Sequence, residues 1–188
     1  MIHFARIDSV YNKYVDDMYA YALHLGFDED LAMDAIHDVF YKLCTQQASL
    51  ENISNLKFYL LRALKNRLID IYRANKELVT TSLENEEVVE NMSFKLDVTI
   101  EDELIDKEEK EEIRNKVEKV LQNLTNRQRE IVYLRYIHEY TYKEIADLMH
   151  ISVASCRNLI NKSLERLKNS NLILNYFLLL ISGFPFFY

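Results

Sequence analysis

Apolar residues recur along this chain at three- and four-residue intervals, and the polar positions between them carry caps that divide the pattern into helices. The clearest division lies in residues 124–168. Thr125 followed by Gln128, and Thr141 followed by Glu144, each fit a capping box, in which a hydroxyl accepts from an orphan N–H and the later side chain reaches back. Ser152 opens a third helix as a plain N-cap, and each such cap contributes about 1 kcal/mol. Only the turn His150-Ile151-Ser152 separates the second helix from the third. Ile145, Ala146 and Met149 line one face of the shorter helix, Ile151 fills the turn, and Cys156, Leu159 and Ile160 line the inner face of the next. Val153, Ala154, Arg157, Asn158, Asn161 and Lys162 are left facing outward. This is the layout of a helix-turn-helix, whose second helix enters the DNA major groove. An ordinary three-helix packing unit with no DNA role is the plainer alternative. Where such turns carry glycine, this one has His150, and histidine is enriched in the left-handed region among non-glycine residues.

The N-terminal block reads as three helices. Residues 10–25 place Tyr11, Tyr14 or Val15, Met18, Ala22 and Leu25 on one stripe, and Gly26 stands where a glycine ends a helix. Asp28 caps the next, with Leu31, Ala35, Val39, Phe40 and Leu43 inside and Asp30, Asp34, His37 and Asp38 outside. A polar loop, 45–55, follows. The third helix, 56–74, has Leu60, Ala63, Leu64, Leu68 and Ile71 inside. Its other faces present Lys57, Arg62, Lys65, Asn66, Arg67, Arg73 and Lys76, interleaved with Phe58, Tyr59 and Tyr72. Cations mixed with rings suit single-stranded or partly melted DNA, where stacking contributes roughly 1–3 kcal/mol per base. A solvated basic face over buried aromatics is the simpler reading of the same helix.

Composition changes this picture once it is divided. Overall the chain is acidic, with a formal net charge of −7, whereas an isolated DNA-binding module is expected to be basic. By segment the net is −6 over 1–56, +4 over 57–83, −10 over 84–112, +5 over 113–168 and zero over 169–188. Two basic blocks separated by an acidic connector suit two DNA-facing modules joined by a spacer that repels DNA and extends itself. With 188 residues, one or two small domains are expected, and Gly26, Gly183 and Pro185 are too few breakers for a sheet-rich fold. Cys44 and Cys156 lie in helical patterns and read as reduced cytosolic core residues. Asp34, His37 and Asp38 could be taken for a metal site, but they spread over more than one face and no second cluster completes them. No phosphate loop, catalytic dyad or metal spacing supports an enzyme, and no cofactor is expected.

Two stretches now carry a resemblance. LAMDAIHDVFYKL (31–43) with FYLLRALKNRLIDIYR (58–73) resembles region 2 of bacterial RNA polymerase sigma factors of the extracytoplasmic-function (ECF) group, and 124–168 resembles region 4. The resemblance implies an all-α fold of two small helical domains: a region 2-like domain at 1–80, an acidic linker at 81–112, a region 4-like helix-turn-helix domain at 113–170 and an apolar tail at 171–188. It further implies a cytoplasmic promoter-specificity subunit.

Under that resemblance, Asp34, His37, Asp38 and Phe40 dock on the β′ clamp helices of the polymerase core, and region 4 meets the β flap. Lys57, Tyr59, Arg62, Lys65, Asn66, Arg67 and Arg73 engage the minus-ten element as it melts, and loop 46–55 holds a flipped base. Val153, Ala154, Arg157, Asn158, Asn161, Lys162 and Arg166 face the minus-thirty-five element. Arg157 suits guanine and Asn158 suits adenine, whereas Lys162, Arg166 and Lys168 suit phosphates. Val153 and Ala154 replace longer polar residues and shift weight toward methyl contacts and DNA shape. An anti-sigma factor is an expected partner. The tail has too broken an apolar run for a span, with Asn175, Gly183 and Pro185 inside it, and packing against one of the modules or against a protein partner is expected instead. The alternatives are a stand-alone helix-turn-helix regulator and a sigma-like interaction adaptor.

Overall fold

The computed structural model describes residues 2–45, 53–77, 93–95 and 107–169. Among them lie seven helices and no strand: α1 (Ile2–His24), α2 (Glu29–Thr45), α3 (Leu56–Glu77), α4 (Lys107–Leu121), α5 (Asn126–Tyr136), α6 (Tyr142–Leu148) and α7 (Val153–Asn169). The chain divides into two compact units, with the break between Ser93 and Phe94.

In the first unit α1, α2 and α3 pack against one another. The end of α1 is a Schellman turn: Gly26 N–H donates to the Leu23 carbonyl at 2.9 Å and Phe27 N–H to that of Ala22 at 3.3 Å. Gly26 takes φ +86°, and a Cβ there would also run into the Ser93 hydroxyl. Asp28 Oδ1 accepts from Leu31 N–H at 2.9 Å and starts α2. Asn55 does the same for α3, accepting from Phe58 N–H at 3.1 Å, a cap hidden in what reads as the end of a loop.

The core of this unit corrects the sequence pattern in two places. On α2 the inner face is Ala32, Ala35, Ile36, Val39, Phe40 and Leu43, while Leu31 is half-buried. On α3 the buried positions are Leu60, Leu61, Leu64, Lys65, Leu68 and Ile69, and Ala63 and Ile71 are half-buried. The cause is that α3 lies against both α1 and α2, so two adjacent columns are covered rather than one stripe.

The second unit is built by its caps. Gln128 N–H donates to Thr125 Oγ1 at 3.3 Å while Thr125 N–H donates to Gln128 Oε1 at 3.1 Å. Glu144 N–H and Thr141 Oγ1 are 3.3 Å apart, with Thr141 N–H to Glu144 Oε2 at 2.9 Å. Both boxes therefore close reciprocally. Ser155 N–H donates to Ser152 Oγ at 3.0 Å at the start of α7. Between α6 and α7 the chain makes a second Schellman turn, with His150 N–H to Asp147 O at 3.3 Å, Ile151 N–H to Ala146 O at 2.9 Å and His150 at φ +53°. Glu139 is also left-handed, at φ +56°, in the turn before α6.

Leu124, Ile131, Leu134, Ile145, Ala146, Met149, Cys156, Ile160 and Leu167 form the core of this unit, with Leu159 half-buried. Helix α4 begins inside the stretch that composition assigns to the linker, as the helical spacing of apolar residues over 104–121 allows. Phe94, also in that stretch, is only 2% exposed and lies on Tyr133 with ring centroids 5.6 Å apart. The connector is thus not a uniformly solvated spacer. The tail 171–188 lies outside the described residues.

Candidate nucleic-acid interface

Helix α7 owes its exposed face to its inner one. Cys156, Ile160, Ser163 and Leu167 are buried, which fixes the rotation of the helix and turns Val153, Ala154, Arg157, Asn158, Asn161 and Lys162 to solvent. All six are exposed, as is Lys168. Burial pushes the Cys156 thiol up, against the opposing pull of the Arg135 and Arg157 charges, so it remains a protonated core group.

The two arginines on this face are held differently. The Arg157 guanidinium carbon lies 5.6 Å from the Tyr142 ring centroid, and that of Arg135 lies 5.1 Å from the same ring. Arg135 Nη1 also donates to the Tyr140 carbonyl at 2.8 Å. Arg166 is exposed, yet its Nη1 donates at 2.7 Å to Gln128 Oε1, the oxygen that closes the α5 capping box. It ties α7 to the start of α5.

In the first unit the basic helix α3 does not present all its cations. Tyr59, Arg62 and Asn66 are exposed. Lys57 is half-buried, its Nζ 2.8 Å from Asp17 Oδ2 on α1. Arg67 is half-buried and directs Nε and Nη2 to Asp38 Oδ2 at 2.7 and 2.6 Å. Arg73 lies 3.8 Å from Asp70. Lys65 is 1% exposed, so its expected place on the DNA-facing surface is corrected: it sits in one of the two columns that α3 buries. The side chain of Lys76 lies outside the described residues, as do positions 46–52 of the expected base-holding loop. Tyr59, Asn66 and Arg67 join Val39, Lys42, Leu43, Ala63 and Asp70 around a cavity of about 210 Å³ between α2 and α3.

On α2, Asp34 and His37 are exposed and Asp38 is half-buried. Phe40 is not on that surface: it is buried edge-on against Tyr11, with centroids 5.0 Å apart, because it falls on the inner column beside Val39 and Leu43. Two residues of this face escape the sequence reading. The Tyr11 hydroxyl meets His37 Nε2 at 3.3 Å, their rings nearly parallel. Tyr41, 69% exposed, lies four residues after His37 and so on the same face, a spacing that could have revealed it. Among the described residues no group of His, Cys, Asp or Glu is placed to hold a metal, and no helix is long and apolar enough to cross a membrane.

Comparison with known proteins matches both units. Residues 10–77 match the family described as Sigma-70 region 2, and residues 114–167 match Sigma-70, region 4. The chain is similar to the ECF RNA polymerase sigma factor SigM of Bacillus subtilis (strain 168), with 26% identity over 162 residues that cover 86% of this chain and 93% of SigM. It shares its fold with the sigma factor RpoE of Bartonella quintana, solved in complex with the anti-sigma factor NepR, at a TM-score of 0.57 and 18% identity over 88% of this chain and 96% of that one. With both conserved regions of the family matched in order, and a curated relative in the ECF group, this chain belongs to the sigma-70 family as an ECF sigma factor.

Proposed function

We infer that the two units act as the two halves of one promoter reader. The chain is an RNA polymerase sigma factor, a non-enzymatic subunit that binds core polymerase and promoter DNA to start transcription at chosen sites. The observation that carries the division of labour is the outward face of α7. Arg157, Asn158, Asn161 and Lys162 stand there without core duty, on a helix capped by Ser152 and held in rotation by its buried Cys156, Ile160, Ser163 and Leu167. In this reading α7 enters the major groove of the minus-thirty-five element. Arg157 and Asn158 address base edges, and Lys162 and Lys168 address phosphates.

The first unit engages the minus-ten element through Tyr59, Arg62, Asn66 and Arg67, and the polymerase clamp through Asp34, His37, Asp38 and Tyr41. The working division stays a region 2-like domain, an acidic connector and a region 4-like domain, with α4 and Phe94 assigned to the last. Two weak contacts held at fixed spacing by the polymerase core gain effective concentration over either alone, which suits a chain whose net charge is negative. The protein acts in the cytoplasm, and the RpoE–NepR complex supports a protein antagonist of anti-sigma type. Run-off transcription with core polymerase over a promoter library tests this reading. Promoter-specific initiation that depends on the added chain is expected. A stand-alone regulator would bind duplex operators and leave initiation by the core unchanged.

A further inference from the structure

The geometry points to Tyr142 as the residue that positions Arg157 for reading the minus-thirty-five element, a role that rests on the sigma reading above. Tyr142 is the first residue of α6, which sets its backbone, and its side chain is half-buried. Two guanidinium groups share it, Arg135 at 5.1 Å and Arg157 at 5.6 Å from the centroid. Arg135 is tethered by its bond to the Tyr140 carbonyl. Arg157, on the exposed face of α7, is the partner whose orientation the ring decides.

An arginine side chain carries about 2 kcal/mol of rotamer entropy, and a bidentate guanine contact needs its planar fork aimed at O6 and N7 together. A ring beneath the guanidinium restricts that plane before DNA arrives, so less ordering is left to the binding step. Repulsion from the anchored Arg135 is relieved when an acceptor faces Arg157. Phosphate accepts a cation from many directions and guanine from one, so the consequence is selectivity more than affinity. Tyr142 needs no DNA contact for this; it is a positioning residue.

The test uses full-length chain with core polymerase and duplex promoters that differ at single minus-thirty-five positions, chosen from the wild-type library result. Tyr142→Leu is expected to lower discrimination at one base position by roughly 2- to 5-fold, the span of an exposed cation–π contact. Tyr142→Phe keeps wild-type discrimination. Arg157→Lys, which retains charge but not the planar fork, lowers discrimination itself and makes Tyr142→Leu silent. Tyr142→Met repeats the Leu result if Leu melts too early to assay. Unchanged selectivity in both the Leu and Met variants, an equal loss in Tyr142→Phe, or an undiminished Tyr142→Leu effect beside Arg157→Lys would each overturn the proposal. If the wild-type chain directs no promoter-specific initiation, the sigma reading fails and this role falls with it. If it does and Tyr142 is silent, only the positioning role falls.

Discussion

Arg67 aims both Nε and Nη2 at one carboxylate oxygen of Asp38, so a residue expected to face DNA and one expected to face polymerase neutralise each other across α2 and α3. The pair is partly exposed, which limits its contribution to about 0–1 kcal/mol. Its interest is competitive: a phosphate must take Arg67 from Asp38.

Asp38→Asn should therefore release Arg67. With core polymerase saturating, affinity for a single-stranded minus-ten oligonucleotide is expected to rise by up to about 5-fold, the upper weight of an exposed pair expressed as a ratio. The comparison is made at one fixed salt concentration, and core affinity is measured separately. Equal or weaker oligonucleotide binding would show that Arg67 holds the helices together and does not reach DNA.

Arg62 and Lys65 provide a sharper contrast on one helix. Arg62 is exposed and Lys65 is buried. Each phosphate contact to a single strand contributes a slope of about −0.7 to the plot of log affinity against log salt. Arg62→Ala should flatten that slope by about this amount, whereas Lys65→Met should leave it unchanged. A flatter slope for Lys65→Met would sink the assignment of this residue to the interior.

These two residues also mark where the sequence stops being legible. Capping is local, so Thr125, Thr141 and Ser152 announce their helices within four residues, and the left-handed His150 follows from the shortness of the turn. The rotation of α7 is equally plain, since one side of it meets the core. Helix α3 has two adjacent columns covered, and periodicity alone does not say how wide the covered side of a helix is; Leu61, Lys65 and Ile69 are inside for that reason. The spacing of Phe40 puts it on the inner stripe while the resemblance puts it on the docking surface, and its burial follows the spacing. Arg166 could be read only as a surface cation, because its partner Gln128 lies 38 residues earlier.

That long-range bond makes Arg166 testable apart from DNA. Arg166→Ala removes a charged donor from Gln128 Oε1 and is expected to destabilise the second unit by about 1 kcal/mol. Its effect on the salt slope should be smaller than that of Lys162→Ala, which alters an exposed cation on the same helix. Hydrogen exchange of the α5 and α7 amides and salt titration of the two variants separate the roles. A larger slope change for Arg166→Ala than for Lys162→Ala would return Arg166 to the phosphate contacts.

Phe94 tests whether the acidic connector has structure of its own. A lone aromatic among carboxylates was its only signal in the sequence, since burial against Tyr133 is made across 39 positions. Truncating a buried phenylalanine costs about 3–5 kcal/mol where the site cannot collapse, so Phe94→Ala should loosen α5 around Tyr133 while leaving the first unit alone. Hydrogen exchange reads this locally, which matters in a chain of two units where a single unfolding energy is ill defined. Faster exchange of amides 131–134 is expected in Phe94→Ala, with Phe94→Leu intermediate. Identical protection in all three proteins would mean that the ring rests on the second unit without supporting it, and the connector would then be the simple spacer its charge suggests.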